Sequence, residues 1–121
     1  MEEYLRAHPD DRGGVVTSAG ATLFAKAGDK RRARADIAAG LEKWKGYVHF
    51  HHAAYNIASA YALLGQPGDA VHWLRWAAEN GFRCYPLFAS DPNLARIRQD
   101  PGYVGLVDEL KAQWERYRAT L

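Results

Sequence analysis

Residues 54–77 of this chain are AYNIASAYALLGQPGDAVHWLRWA, and residues 17–40 carry the same pattern of small and large apolar residues. Each stretch has a glycine near its middle, Gly28 or Gly65, and the offset between the stretches is 37 residues. Apolar residues three and four apart indicate helices with one buried face, and a glycine allows left-handed backbone at a helix end. The sequence therefore predicts two copies of one helix–turn–helix unit. The matching pairs are Thr17 and Ala54, Gly20 and Ile57, Ala21 and Ala58, Phe24 and Tyr61, Gly28 and Gly65, Ala33 and Ala70, Ile37 and Leu74, and Gly40 and Ala77.

The rest of the chain is predicted to be helical as well, because no stretch alternates polar and apolar residues as a β-strand does. With 121 residues, of which 48% are hydrophobic and 25% charged, the composition is that of one globular domain. The predicted fold class is all-α. The spacing predicts helices at residues 2–8, 14–27, 29–44, 50–64, 67–80, 92–98 and 101–119.

The last predicted helix has one apolar and one charged face. Its apolar residues recur at alternating steps of four and three, from Tyr103 through Leu110 and Trp114 to Leu121. A stack of helical hairpins needs a final helix that covers the preceding unit and exposes polar side chains. We expect this helix to be that cap, and pairing with a second copy is the alternative. Asp91 and Asp100 each precede a proline and are expected to be N-caps.

The repeated unit resembles the tetratricopeptide repeat, a helical hairpin whose period is about 34 residues. Residues 14–47 are the first repeat-like unit and residues 51–84 the second, with residues 1–13 as an N-terminal helix or link. Residues 73–101 resemble the ending of repeat arrays in bacterial signalling and regulatory proteins, which implies a C-terminal capping segment at 85–121. The resemblance implies a right-handed superhelix of helical hairpins, either complete or the end of a longer array.

Members of this family usually bind a protein or peptide in a groove lined by the first helix of each repeat. The resemblance therefore implies a non-catalytic interaction module that needs no cofactor. Side chains four or seven apart on one helix can contact a peptide together, and aromatic residues often dominate such contacts. By alignment with the family, the groove residues are expected to be Ser18, Thr22, Lys26, His52, Tyr55, Ser59 and Leu63.

Catalytic and metal-binding interpretations have less support in the sequence. His49, His51 and His52 are potential metal ligands, but no cysteine or carboxylate lies beside them at ligand spacing. Cys84 lacks an identifiable base and is expected to be a small packing residue. We therefore expect surface histidines, no metal and no catalytic residues, with a small metal protein or enzyme as the weaker alternative.

Charge and hydropathy limit the remaining partners. The formal net charge of +2 argues against nucleic acid as the partner. Residues 26–45 include a basic run, which is either a solvated helix face or a patch that binds acidic groups. No apolar run is long enough to cross a membrane, and the first residues do not resemble a secretory signal. One cysteine fits a reducing compartment, so a cytoplasmic location is expected.

Self-association, through the open repeat edge near residues 2–13, is the second function considered.

Overall fold

The computed structural model describes residues 15–43, 50–82 and 84–120, and every regular element within them is helical. This confirms the all-α class. The predicted helix at 2–8 lies outside the described residues. The elements are α1 (Val15–Lys26), α2 (Lys30–Lys43), α3 (Phe50–Leu63), α4 (Pro67–Glu79), α5 (Tyr85–Ser90), a 3-10 helix (Pro92–Ile97) and α6 (Pro101–Ala119).

Three glycines end the helices α1, α3 and α4 with the same backbone geometry. Gly28, Gly65 and Gly81 have φ of 84°, 75° and 114°. In each turn the amide that follows the glycine donates to the carbonyl five residues earlier, at 2.9 Å in all three cases. This is the Schellman arrangement, which satisfies carbonyls at a helix end. Because the turns after α1 and α3 are short, α2 folds back on α1 and α4 folds back on α3.

The turn at Gly65 provides a test of this geometry. We expect Gly65→Ala to lower the free energy of unfolding by about 1 kcal/mol, because a Cβ strains left-handed backbone. Gly68→Ala is the matched control, since Gly68 lies in the first turn of α4, has no positive φ and has no atom within 4 Å of an added Cβ. It should leave stability unchanged or raise it by up to about 1 kcal/mol. Urea denaturation of both variants measures the difference, and equal destabilisation would contradict the assigned turn.

The two repeat units bury equivalent residues. Ala21 and Ala58 are fully buried, as are Ala33 and Ala70. The large residues Ile37 and Leu74 are buried beside them, and Phe24 and Tyr61 are both partly buried against the core. Small side chains at these positions let the paired helices approach closely. Helix α1 also packs on α3, so the two hairpins are stacked.

The C-terminal segment forms a third layer on this stack. The 3-10 helix packs on α3, and α6 packs on α4. Val71 of α4 lies beside Gly102 of α6, and Arg75 of α4 donates to Glu109 of α6 at 2.9 Å. Residue numbers therefore rise together along the two helices, which run side by side in the same direction.

The C-terminal segment differs from the prediction in three respects. The short helix α5 was not predicted, and the predicted helix at 92–98 is a 3-10 helix. The apolar stripe of α6 is buried at Tyr103 and Leu110, but Tyr117 is 65% exposed. The stripe is incompletely covered because α4 ends at Glu79, beside the middle of α6, so the last turns of α6 extend past it.

Candidate binding surface

We use the term first-element face for the surface formed by α1 and α3, the first helices of the two hairpins, together with the 3-10 helix, which packs on α3. Asn56 of α3 joins two of these elements, because its Nδ2 donates to Ser18 Oγ of α1 at 3.2 Å. Thr22 Oγ1 donates to the Asn56 carbonyl at 2.9 Å. Ser18 is therefore buried in the seam between α1 and α3, and Thr22 remains partly exposed.

Tyr55 lies in the core beneath the C-terminal segment. Its side chain is 7% exposed, and its hydroxyl donates to Asp91 Oδ2 at 2.6 Å. Its ring centroid lies 4.9 Å from that of Phe82 and 5.2 Å from that of Phe88. Burial, followed by the hydrogen bond to Asp91, raises the pKa of Tyr55 far above its usual value. Tyr55 therefore attaches the C-terminal segment to α3.

Asp91 has two roles in this attachment. Its Oδ1 accepts from the Asn93 amide at 2.9 Å, which caps the 3-10 helix, while its Oδ2 accepts from Tyr55. The predicted capping roles of Asp91 and Asp100 are confirmed, since Asp100 Oδ2 accepts from the Tyr103 amide at 3.2 Å. The contact between Asp91 and Tyr55 was not predicted from the sequence.

Further hydrogen bonds hold α5 in place. The Arg98 guanidinium donates to the carbonyls of Ala89 and Asp91, at 3.1 and 2.9 Å. Tyr103 donates through its hydroxyl to the Phe88 carbonyl at 2.7 Å. These bonds satisfy carbonyls at the end of a short helix and hold it against Arg98, which follows the 3-10 helix, and against α6.

The other predicted groove residues differ in accessibility. Ser59 is buried, whereas Lys26 and His52 are exposed. Leu63 is half-buried, and its carbonyl accepts a hydrogen bond from the Arg96 guanidinium of the 3-10 helix. The structure therefore brings Lys26, Leu63 and Arg96 to the C-terminal ends of three neighbouring elements.

Of the seven predicted groove residues, those with accessible surface are Thr22, Lys26, His52 and Leu63. Ser18, Tyr55 and Ser59 are buried and present almost no surface to a partner. Asn93 and Arg96 complete the first-element face and were not predicted, because they belong to the segment expected to be only a cap. The proline and capping aspartate before them indicate a helix start but not where that helix packs.

The weaker alternative from the sequence was metal or catalytic chemistry at the histidines and Cys84. His51 and His52 have ring centroids 4.2 Å apart, and His49 lies outside the described residues. Within residues 15–43, 50–82 and 84–120, no three His, Cys, Asp or Glu side chains are placed to hold a metal ion. Cys84 is exposed, so it does not have the predicted packing role.

Among the described helices, none has the length and apolar character needed to cross a membrane.

Known proteins add no further information about this surface. A scan against protein-family models, a search of curated proteins and a search of solved structures each found no match. Any assignment of function therefore depends on the internal repeat and on the geometry of the first-element face.

Proposed function

We propose that the chain is a non-catalytic protein-binding module of the tetratricopeptide type, which binds a peptide or protein segment on its first-element face. One observation carries this proposal: the 37-residue repeat is accompanied by equivalent buried residues and equivalent glycine turns in both hairpins. Stacked hairpins of this kind form right-handed superhelices that expose one surface built from successive first helices.

The accessible residues fit a short extended segment. His52 and Leu63 are eleven residues apart on α3, which corresponds to about 16 Å along a helix, or about five extended residues. Lys26 occupies in α1 the position that Leu63 occupies in α3, so a segment that crosses both helices would contact both side chains. In this proposal Ser18, Tyr55 and Ser59 shape the surface from below.

Crosslinking in the native cells tests the proposed face. A photo-crosslinking amino acid at Lys26 or His52 should trap a protein, because both positions are exposed on the first-element face. The same amino acid at Lys111, an exposed lysine on α6, is the matched control and should trap much less. Equal yields at all positions, or a product from Lys111 alone, would reject this surface as the binding site.

Self-association is the second candidate, and Leu23 favours it. Leu23 of α1 is 56% exposed, whereas the equivalent Ala60 of α3 is fully buried, one helical turn from Asn56, which bonds to α1. A second copy stacked on α1 would cover Leu23 in the same way. Sedimentation of the full chain decides this question, because a monomer mass that is independent of concentration excludes such stacking.

A further inference from the structure

Acidic residues are unevenly distributed among the layers. Helices α1, α3 and α5 and the 3-10 helix contain no aspartate or glutamate. Asp91, which precedes the 3-10 helix, is buried and accepts hydrogen bonds from Tyr55 and Asn93. The remaining acidic residues in the described part of the chain lie on α2, α4 and α6 or in the turns before them: Asp29, Asp36, Glu42, Asp69, Glu79, Asp100, Asp108, Glu109 and Glu115.

The first-element face does carry cations. Lys26 and Arg96 are exposed on either side of Leu63, at the ends of α1 and the 3-10 helix. Because packed helices lie about 8–10 Å apart, the two elements that carry these charges, one on each side of α3, are separated by about 16–20 Å. No acidic side chain of the described residues pairs with either cation. Lys30 and Arg31 are also exposed, at the start of α2, and Asp29 in the turn before them pairs with Arg32.

We infer that the segment bound on this face is acidic, with glutamate or aspartate facing Lys26 and Arg96 and an apolar residue packed on Leu63. This inference rests on the proposed function and adds the chemistry of the partner. Charge complementarity across an interface determines partner choice and association rate more than total affinity. A face with cations, on which the described helices place no acidic residue, attracts carboxylates and disfavours basic segments.

Three labelled peptides of about 12 residues, long enough to cross the three elements, test the inference. The first has the pattern Glu-Glu-Leu, the second has glutamine in place of glutamate, and the third has lysine. Fluorescence anisotropy with the full chain measures their dissociation constants. At about 50 mM salt the glutamate peptide should bind about tenfold more tightly than its glutamine twin, and at about 300 mM the difference should shrink.

Two double variants locate the charges responsible. Lys26→Gln with Arg96→Gln should reduce the preference for glutamate to about twofold. Lys111→Gln with Arg116→Gln removes the same charge from exposed positions on α6 and should leave the preference intact. Arg96→Lys keeps the charge while altering the bond to the Leu63 carbonyl, so it should retain most of the preference.

Several outcomes would overturn the inference. These are equal binding of the three peptides, no binding of any, loss of the preference in the α6 variant, or tighter binding of a labelled oligothymidylate of about the same length. Failure of the proposed function is a separate result, since it would appear as loss of position-specific crosslinking at Lys26 and His52. If crosslinking persists while the peptides show no charge preference, only the acidic character of the partner is wrong.

Discussion

Phe88→Ala is expected to lower the free energy of unfolding by about 3–5 kcal/mol, the range typical of a large aromatic residue removed from a core. Phe88 is fully buried in α5, with ring centroids 5.2 Å from Tyr55 and 6.0 Å from Phe82. It lies where the C-terminal segment packs on α3. A loss of stability of this size would show that the C-terminal segment is an integral layer of the fold.

The adjacent residue provides the control for this prediction. Leu87 lies in the same short helix but is 36% exposed, so Leu87→Ala should lower the free energy of unfolding by only about 1–2 kcal/mol. Urea denaturation followed by circular dichroism measures both variants. Similar effects of the two substitutions would mean that α5 does not pack on α3 through Phe88.

Alkaline pH is expected to destabilise the protein through Tyr55. Because the pKa of Tyr55 is raised in the folded state, the stabilisation is fully present below the unfolded value of about 10 and declines as pH rises above it. Through this one group, the free energy of unfolding is expected to fall by about 1.4 kcal/mol per pH unit. Tyr55→Phe should remove this contribution, although burial also raises the pKa of Tyr61 and Tyr103 and part of the slope remains.

Unfolding measured from about pH 8 to 12 tests the alkaline dependence. Tyr117→Phe is the control, since Tyr117 is mostly exposed, and it should leave the slope unchanged. Tyr55→Phe should in addition lower stability at neutral pH by about 1–3 kcal/mol, because Asp91 Oδ2 loses its donor. A slope unchanged by Tyr55→Phe would indicate that the Tyr55 hydroxyl does not remain protonated in the folded protein.

The parts of the fold that the sequence could predict are those determined by local chemistry. Gly28 and Gly65 end helices because left-handed backbone favours glycine, and Asp91 and Asp100 cap helices that begin with proline. The small residues of the repeat, such as Ala33 and Ala70, predicted which helix faces are buried. Helix α5 was missed because six residues with a proline near the start have no detectable periodicity.

The candidate site was less accessible to prediction, because burial depends on contacts between distant residues. Tyr55 was expected to be an exposed anchor on the basis of its aromatic type and its alignment with the family. Its partner Asp91 is 36 residues away in the chain, and no local pattern reveals that contact. Lys26 and His52 have the predicted exposure, whereas Arg96 belongs to the face only because the 3-10 helix packs on α3.

The central claim is that the face formed by α1, α3 and the 3-10 helix binds an acidic segment. Backbone amide shifts of the isotope-labelled full chain, recorded during titration with the glutamate peptide, test this claim most directly. We expect the largest changes at Thr22, Lys26, Asn56, Leu63 and Arg96, which lie on that face. Largest changes on the outer sides of α2, α4 or α6, or no changes at all, would contradict it.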